Sequence, residues 1–185
     1  GNVGTFTAQY ITEKGAKLVA VSDSRGCIYN ENGLDYKKLV EVKEKTGTVT
    51  NYKPGKVLQS KDIHGLDVDI LIPGALPDVI NESNVNKVKA KIIVEAANIP
   101  IKEEFENILY KKGVLIVPDI VANAGGVISS YAEYKGHNPK KMFELVERKI
   151  KKNTGLVLDK AKKEKITTRE AAMAIAIARV KAKGK

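Results

Sequence analysis

Cysteine is nearly absent from this chain: its 185 residues hold one, Cys27, which excludes a disulfide framework. Histidine occurs only at His64 and His137, far apart in sequence. Neither a metal-ligand spacing nor a nucleophile elbow is present, so no metal and no catalytic residue is expected within these residues. No apolar run approaches the about 20 residues of a membrane helix, and no membrane partner is expected. The first residues form neither a basic nor an apolar leader region, and with a single thiol a cytoplasmic location is the expectation. Arginine is scarce as well, occurring at Arg25, Arg148, Arg169 and Arg179. Lysine therefore supplies nearly all of the excess behind a net charge of +10. These lysines alternate with glutamate, as in Lys43-Glu44-Lys45 and Lys162-Lys163-Glu164-Lys165. That is the pattern of solvated helix faces, not the basic cluster with stacking aromatics of a nucleic-acid groove, and no nucleic-acid partner is expected.

What is present begins at once. Gly1-Asn2-Val3-Gly4 is followed by a helical pattern with Val3, Phe6, Thr7, Tyr10 and Ile11 on one face and Gly15 placed to end it. A β-branched run, residues 17–22, leads to Asp23. Loop, helix, strand and acid at about 20 residues' spacing match the back half of a G-x-G-x-x-G dinucleotide fingerprint. The first glycine and its leading strand are not in these residues, so the chain is expected to be part of a longer enzyme subunit, incomplete at its N-terminus.

Further along, Asp35 is placed to cap a helix to about Thr46 with Gly47 as its stop. Residues 48–59 read as extended and turn-rich around Pro54-Gly55. Strands are expected at 68–72, 91–95 and 114–117, and helices at 82–88, 102–112, 127–135, 139–163 and 168–183, with Thr154-Gly155 placed to interrupt or kink the longest. Continuous Val/Ile/Leu strands alternating with helices imply an α/β fold: a doubly wound, mostly parallel, Rossmann-like sheet lacking its first strand. It is expected to fill residues 1–185 as one dinucleotide-binding domain, with a helical extension from about 126. In the strand order 3-2-1-4-5-6, strands 17–22 and 68–72 should flank an empty slot. An open slot exposes backbone polar groups, so the isolated chain is expected to be poorly stable.

In such sheets ligands lie at the carboxyl ends of the strands. Glycines let the backbone approach a pyrophosphate, which helix N-terminal N–H groups receive. After strand 17–22 come Asp23, which suits an adenosine ribose and hence NAD, and Ser24 and Arg25, which keep NADP open by suiting a 2′-phosphate. Later strands end in Pro73-Gly74-Ala75-Leu76, Ala96-Ala97-Asn98-Ile99-Pro100, and Pro118-Asp119 leading to Asn123-Ala124-Gly125-Gly126-Val127. The side-chain amides of Asn98 and Asn123 can pair with a carboxamide or a ribose hydroxyl. The competing reading for each turn is ordinary loop chemistry.

The Asn123–Val127 block, with Gly1-Asn2-Val3-Gly4, Val19-Ala20-Val21-Ser22-Asp23-Ser24, Pro118-Asp119-Ile120, Ser129-Ser130-Tyr131-Ala132-Glu133-Tyr134 and Arg169-Glu170-Ala171-Ala172, resembles the cofactor-binding domain of hexameric glutamate dehydrogenases of archaeal type. The likeness runs from end to end. It implies that Gly1, Asn2, Val3 and Gly4 hold the pyrophosphate and Asp23 the adenosine ribose. It implies that Ala75 touches the nicotinamide half, that Asn98 and Asn123 bind its ribose and carboxamide, and that Val127 and Ser130 face the substrate side chain. The chain departs from the family at Ala96 and Ile99, where glycine is frequent. The family's catalytic lysine and aspartate lie in an N-terminal domain without counterpart here, so this chain alone is expected to be inactive. The resemblance implies NAD(P)-dependent interconversion of L-glutamate and 2-oxoglutarate by a homo-hexamer. The alternatives are a leucine-, valine- or phenylalanine-type dehydrogenase, which a hydroxyl at Ser130 suits less well, and a non-catalytic nucleotide-binding module.

Overall fold

The computed structural model of the chain describes residues 1–183. They form two compact units: Gly1–Asp67 with Asn86–Lys89, and Val68–Val85 with the chain from Ala90 onward.

In the first unit α1 (Asn2–Glu13) ends at Gly15, whose φ of 88° is left-handed and whose N–H returns to the Thr12 carbonyl at 2.9 Å. The helix faces its core with Ala8 and Ile11, which pack with Leu18, Ile28 and Leu34. Phe6 and Tyr10, on the expected apolar face, are instead 54% exposed and stack on each other, ring centroids 6.4 Å apart. The strand expected at 17–22 forms as β1 (Ala20–Asp23), shifted toward its acid. It turns back through Ser24-Arg25 into β2 (Gly26–Tyr29), and β2 pairs with β3 (Lys56–Leu58), all antiparallel. The expected mostly parallel sheet is therefore not formed by the strands of this unit, which are all antiparallel. The two-residue turn is the cause: it lets adjacent strands pair directly, where a parallel pair needs a long crossover. Gly26 makes this hairpin fit, because a Cβ there would meet Thr50 Cγ2 at 2.8 Å. Between β2 and β3, α2 (Tyr36–Thr46) is capped as expected. The Asp35 carboxylate accepts the Lys38 N–H at 2.7 Å, and Gly47 stops the helix at φ 73°.

The second unit holds the parallel sheet, β4 (Ile70–Leu71), β5 (Ile92–Val94) and β6 (Leu115–Val117) in that order. The crossover from β5 to β6 is α3 (Glu103–Lys111). Ile80, Ile93, Ile101 and Leu109 are wholly buried, each contributing roughly 1.5–3 kcal/mol relative to exposure. The strand expected at 68–72 shortens to two residues, and the helix expected at 82–88 is a single 3-10 turn, Val85–Lys87. Asn81 and Asn84 explain the second change: both side chains bond the local backbone and end regular structure. After β6 come α4 (Asp119–Ala122), α5 (Gly125–Tyr134), α6 (Pro139–Glu164) and α7 (Thr168–Lys183). Asn138 caps α6, which runs through Thr154-Gly155 without interruption. Val157 and Ala161, just beyond the glycine, are buried with Val121, Ala171 and Ala172. That packing outweighs the about 1 kcal/mol a mid-helix glycine costs. No described helix is long and apolar enough to cross a membrane.

Candidate functional site

In the first unit the candidate phosphate residues sit at the start of α1. Gly1 is its N-cap, and Asn2, Val3 and Gly4 form its first turn, all exposed. Among the described residues no side chain caps this end, and no acid lies in its first turn; both features suit an anion at the helix start. A Cβ on Gly1 or Gly4 would touch nothing within 4 Å.

Asp23 closes β1, and its carboxylate is already engaged. One oxygen accepts the Arg25 N–H at 2.9 Å and the Thr48 hydroxyl at 3.4 Å. The other accepts Lys43 Nζ at 2.7 Å and the Val49 N–H at 2.9 Å. Burial alone would raise its pKa, but the Lys43 ammonium and the two backbone N–H groups outweigh burial and hold it at about 2. A carboxylate offers about four acceptor sites, so a ribose hydroxyl would have to displace the long Thr48 bond. Ser24 and Arg25, at the hairpin tip, are exposed.

In the second unit three turns meet at the carboxyl ends of β4, β5 and β6. The Pro73 carbonyl accepts the N–H groups of Ala96 and Ala97 at 3.0 and 2.9 Å. Ala75, two residues on, is exposed. Asn123 Nδ2 donates to Asn98 Oδ1 at 2.6 Å and to the Ala97 carbonyl at 3.3 Å. The two asparagines, 25 residues apart in sequence, are thus joined. Their pairing leaves Asn98 Nδ2 as a donor and Asn123 Oδ1 as an acceptor, the complement of a carboxamide or of a ribose diol. Ile99 stands where the family often has glycine, and it adopts φ 46°, a conformation that β-branched residues rarely hold.

Asn123 leads through Ala124 into α5. Val127, 77% exposed, and Ser130, also exposed, lie one turn apart on that helix. A Cβ on Gly126 would meet nothing within 4 Å, leaving the approach to this face open. Ser130 Oγ bonds the Gly126 carbonyl at 3.2 Å, and Ser129 Oγ bonds the same carbonyl at 2.7 Å. Ser130 therefore has a local partner that a substrate carboxylate would need to replace.

Behind the asparagines lies a cluster that the sequence reading did not single out. Arg169, on the first turn of α7, reaches Glu95 Oε2 at 2.9 Å, Glu106 Oε1 at 2.5 Å and Asp119 Oδ1 at 3.1 Å. Glu95 is wholly buried and follows β5 directly. Burial, then the like charge of Glu106, pushes its pKa up to about 8, against the opposing Asp119 N–H and Arg169. Burial disfavours the Arg169 cation, but its three carboxylates outweigh this and hold it charged. The signal available in sequence was Glu95 itself, a charge at the end of an apolar strand. Its partner lies 74 residues away.

A family model described as Glutamate/Leucine/Phenylalanine/Valine dehydrogenase matches residues 1–185. The chain is 45% identical over 190 residues to a glutamate dehydrogenase of Aeropyrum pernix, covering 97% of this chain and 46% of that protein. It is 47% identical over 134 residues to an NADP-specific glutamate dehydrogenase of Saccharolobus shibatae, covering 72% and 32%. Among solved structures, a hetero-hexameric glutamate dehydrogenase from Thermus thermophilus superposes with a TM-score of 0.85 at 28% identity, over 97% of this chain and 44% of that one. The chain spans less than half the length of these relatives. It belongs to the glutamate/leucine/phenylalanine/valine dehydrogenase family.

Proposed function

We propose that these residues are the cofactor-binding part of a glutamate dehydrogenase subunit. The reaction would be L-glutamate, water and oxidised NAD or NADP giving 2-oxoglutarate, ammonium, the reduced cofactor and a proton. The observation that carries this reading is the Asn98–Asn123 pair, joined at 2.6 Å at the ends of adjacent parallel strands. The cofactor, when bound, supplies the hydride acceptor for the substrate Cα. The chain's own residues bind and orient. Asn98 and Asn123 hold the nicotinamide ribose and carboxamide, with Ala75 beside them, and the N–H groups of Gly1, Asn2, Val3 and Gly4 receive the pyrophosphate. Asp23 accepts an adenosine hydroxyl in place of Thr48, which suits NAD. Ser24 and Arg25 suit the 2′-phosphate of NADP, and the NADP-specific name of the Saccharolobus relative supports that side.

Val127 and Ser130 take the methylenes and distal carboxylate of glutamate. Proton transfer falls to residues beyond these 185, and these residues alone are inactive. The assembly is a homo-hexamer; the hexameric Thermus structure supports an oligomer. Cys27, the one thiol, is buried and forms no disulfide among the described residues, and a cytoplasmic location belongs to the same proposal.

The test is Ser130→Ala in the intact subunit, comparing kcat/KM for glutamate and norvaline. A large loss for glutamate with little change for norvaline supports glutamate as the substrate. Parallel losses would refute it and favour the local bond to Gly126.

A further inference from the structure

We propose that Arg169 is a positioning residue for the cofactor site: through Glu95 and Asp119 it sets the two turns that carry Asn98 and Asn123. The proposal rests on the cofactor reading of those asparagines. The geometry is a chain of short contacts. Asp119 gives one carboxylate oxygen to Arg169 at 3.1 Å and the other to the Ile99 N–H at 2.8 Å. Ile99 follows Asn98. Glu95 Oε2 accepts both Arg169 Nη2 at 2.9 Å and the Asp119 N–H at 2.8 Å. Glu95 opens the turn to Asn98, and Asp119 opens the short helix that ends at Asn123. One guanidinium thus ties both turns, and Glu106 from α3 braces it from behind with Nε at 2.7 Å.

Stability alone does not account for the cluster. A cation on the first turn of a helix opposes the helix dipole. Three carboxylates face one guanidinium, and Glu95 Oε1 is buried with no hydrogen-bond partner among the described residues. Apolar side chains commonly replace such buried ion groups without loss. What apolar side chains could not supply is the acceptor for the Ile99 N–H. Ile99 needs that bond because φ 46° is strained for a β-branched residue. Its carbonyl is held as well, by the N–H of Asp78 at 3.0 Å, and Asp78 is left-handed at φ 55°. The residue beside Asn98 is fixed at both ends. Arg169 is itself placed by its helix start. The Thr168 hydroxyl bonds the Ile116 carbonyl at 2.6 Å, and Thr167 and Glu170 form a reciprocal capping box.

The test titrates NADH and ADP, which lacks the nicotinamide riboside, into the protein and its Arg169→Lys variant. Lysine keeps the charge but not the fork that reaches three carboxylates. The expected result is a loss of roughly tenfold for NADH, about 1.4 kcal/mol, with ADP changed less than about twofold. The side-chain amide signals of Asn98 and Asn123 should shift in the same variant. Adding Ile99→Gly, which relaxes the left-handed residue, should restore part of the NADH affinity. Equal losses for both ligands, or unchanged NADH binding, would overturn the proposal. If Arg169→Lys fails to fold, Asp119→Asn carries the same comparison, keeping an acceptor for the Ile99 N–H while loosening Arg169. If the unmodified protein binds ADP but not NADH, the cofactor reading of the asparagines fails. The amide signals then decide separately whether Arg169 orders the two turns: displaced signals support this, and unmoved signals overturn it.

Discussion

Asp23 and Glu95 both stand at the carboxyl end of a strand, one in each unit, and they are held in opposite ways. Four donors converge on Asp23 and its pKa falls to about 2. Glu95 has one backbone N–H and a share of a guanidinium that Glu106 and Asp119 also claim, and its pKa rises to about 8. The first arrangement is a satisfied loop cap. The second leaves negative charge in excess and a buried oxygen without a hydrogen-bond partner among the described residues. An acid at the right position in sequence therefore already has partners of its own, and a ligand hydroxyl takes the place of the longest of them, Thr48 at 3.4 Å. Asp23 fits the dinucleotide pattern by spacing and is held in place by four donors of its own chain. Glu95 matches no motif yet stands one step behind the asparagines.

Removing the guanidinium should have the largest effect. Arg169→Ala strips Glu106 and Asp119 of their shared cation beside the buried Glu95 carboxyl, and the second unit should lose about 3–5 kcal/mol, measured by urea unfolding. A loss no larger than that of Asp23→Ala would show that the two acids are held alike. That variant abandons Lys43 and the Val49 N–H and should cost roughly 1–3 kcal/mol.

The pH dependence should separate the two acids by sign. The folded pKa of Glu95 lies above its unfolded value, so the folded state holds the extra proton between about 4.5 and 8. Its contribution is full below that window and is lost as pH rises through it. Asp23 is the reverse: its contribution is present above the usual 3.8 and is lost as pH falls toward 2. Thermal unfolding across pH, for wild type against Glu95→Gln and against Asp23→Asn, should show slopes of opposite sign. Slopes of the same sign would contradict the assignment.

Ile99→Gly should stabilise by about 1 kcal/mol through relief of the left-handed strain, read as a raised Tm. Arg25→Ala, at an exposed hairpin tip, should change stability by less than about 0.5 kcal/mol. It should weaken NADPH but not NADH if the guanidinium meets a 2′-phosphate; equal weakening of both would remove that role.

Local chemistry was legible in the sequence. Asp35, Gly47 and Gly15 act within a few residues of themselves, and each ends or starts its helix where its type predicts. The asparagine turns were legible too, because each follows a recognisable apolar strand. What escaped depends on distant partners. The hairpin to β2 hinges on Gly26 fitting beneath Thr50, and nothing near Gly26 announces it. The exposed side of α1 is decided by where Leu18, Ile28 and Leu34 lie, not by helical spacing alone. The Arg169 cluster joins residues from four stretches of chain, so no window of sequence contains it.

In the proposed site the nicotinamide end of the cofactor is held at Asn98 and Asn123. The most direct measurement is the affinity of Asn123→Ala for NADH and for ADP, by calorimetric titration. NADH binding should weaken by roughly 1–3 kcal/mol, the cost of an unmet buried polar partner, while ADP binding stays as in the wild type. Unchanged NADH binding, or an equal loss for both ligands, would contradict it.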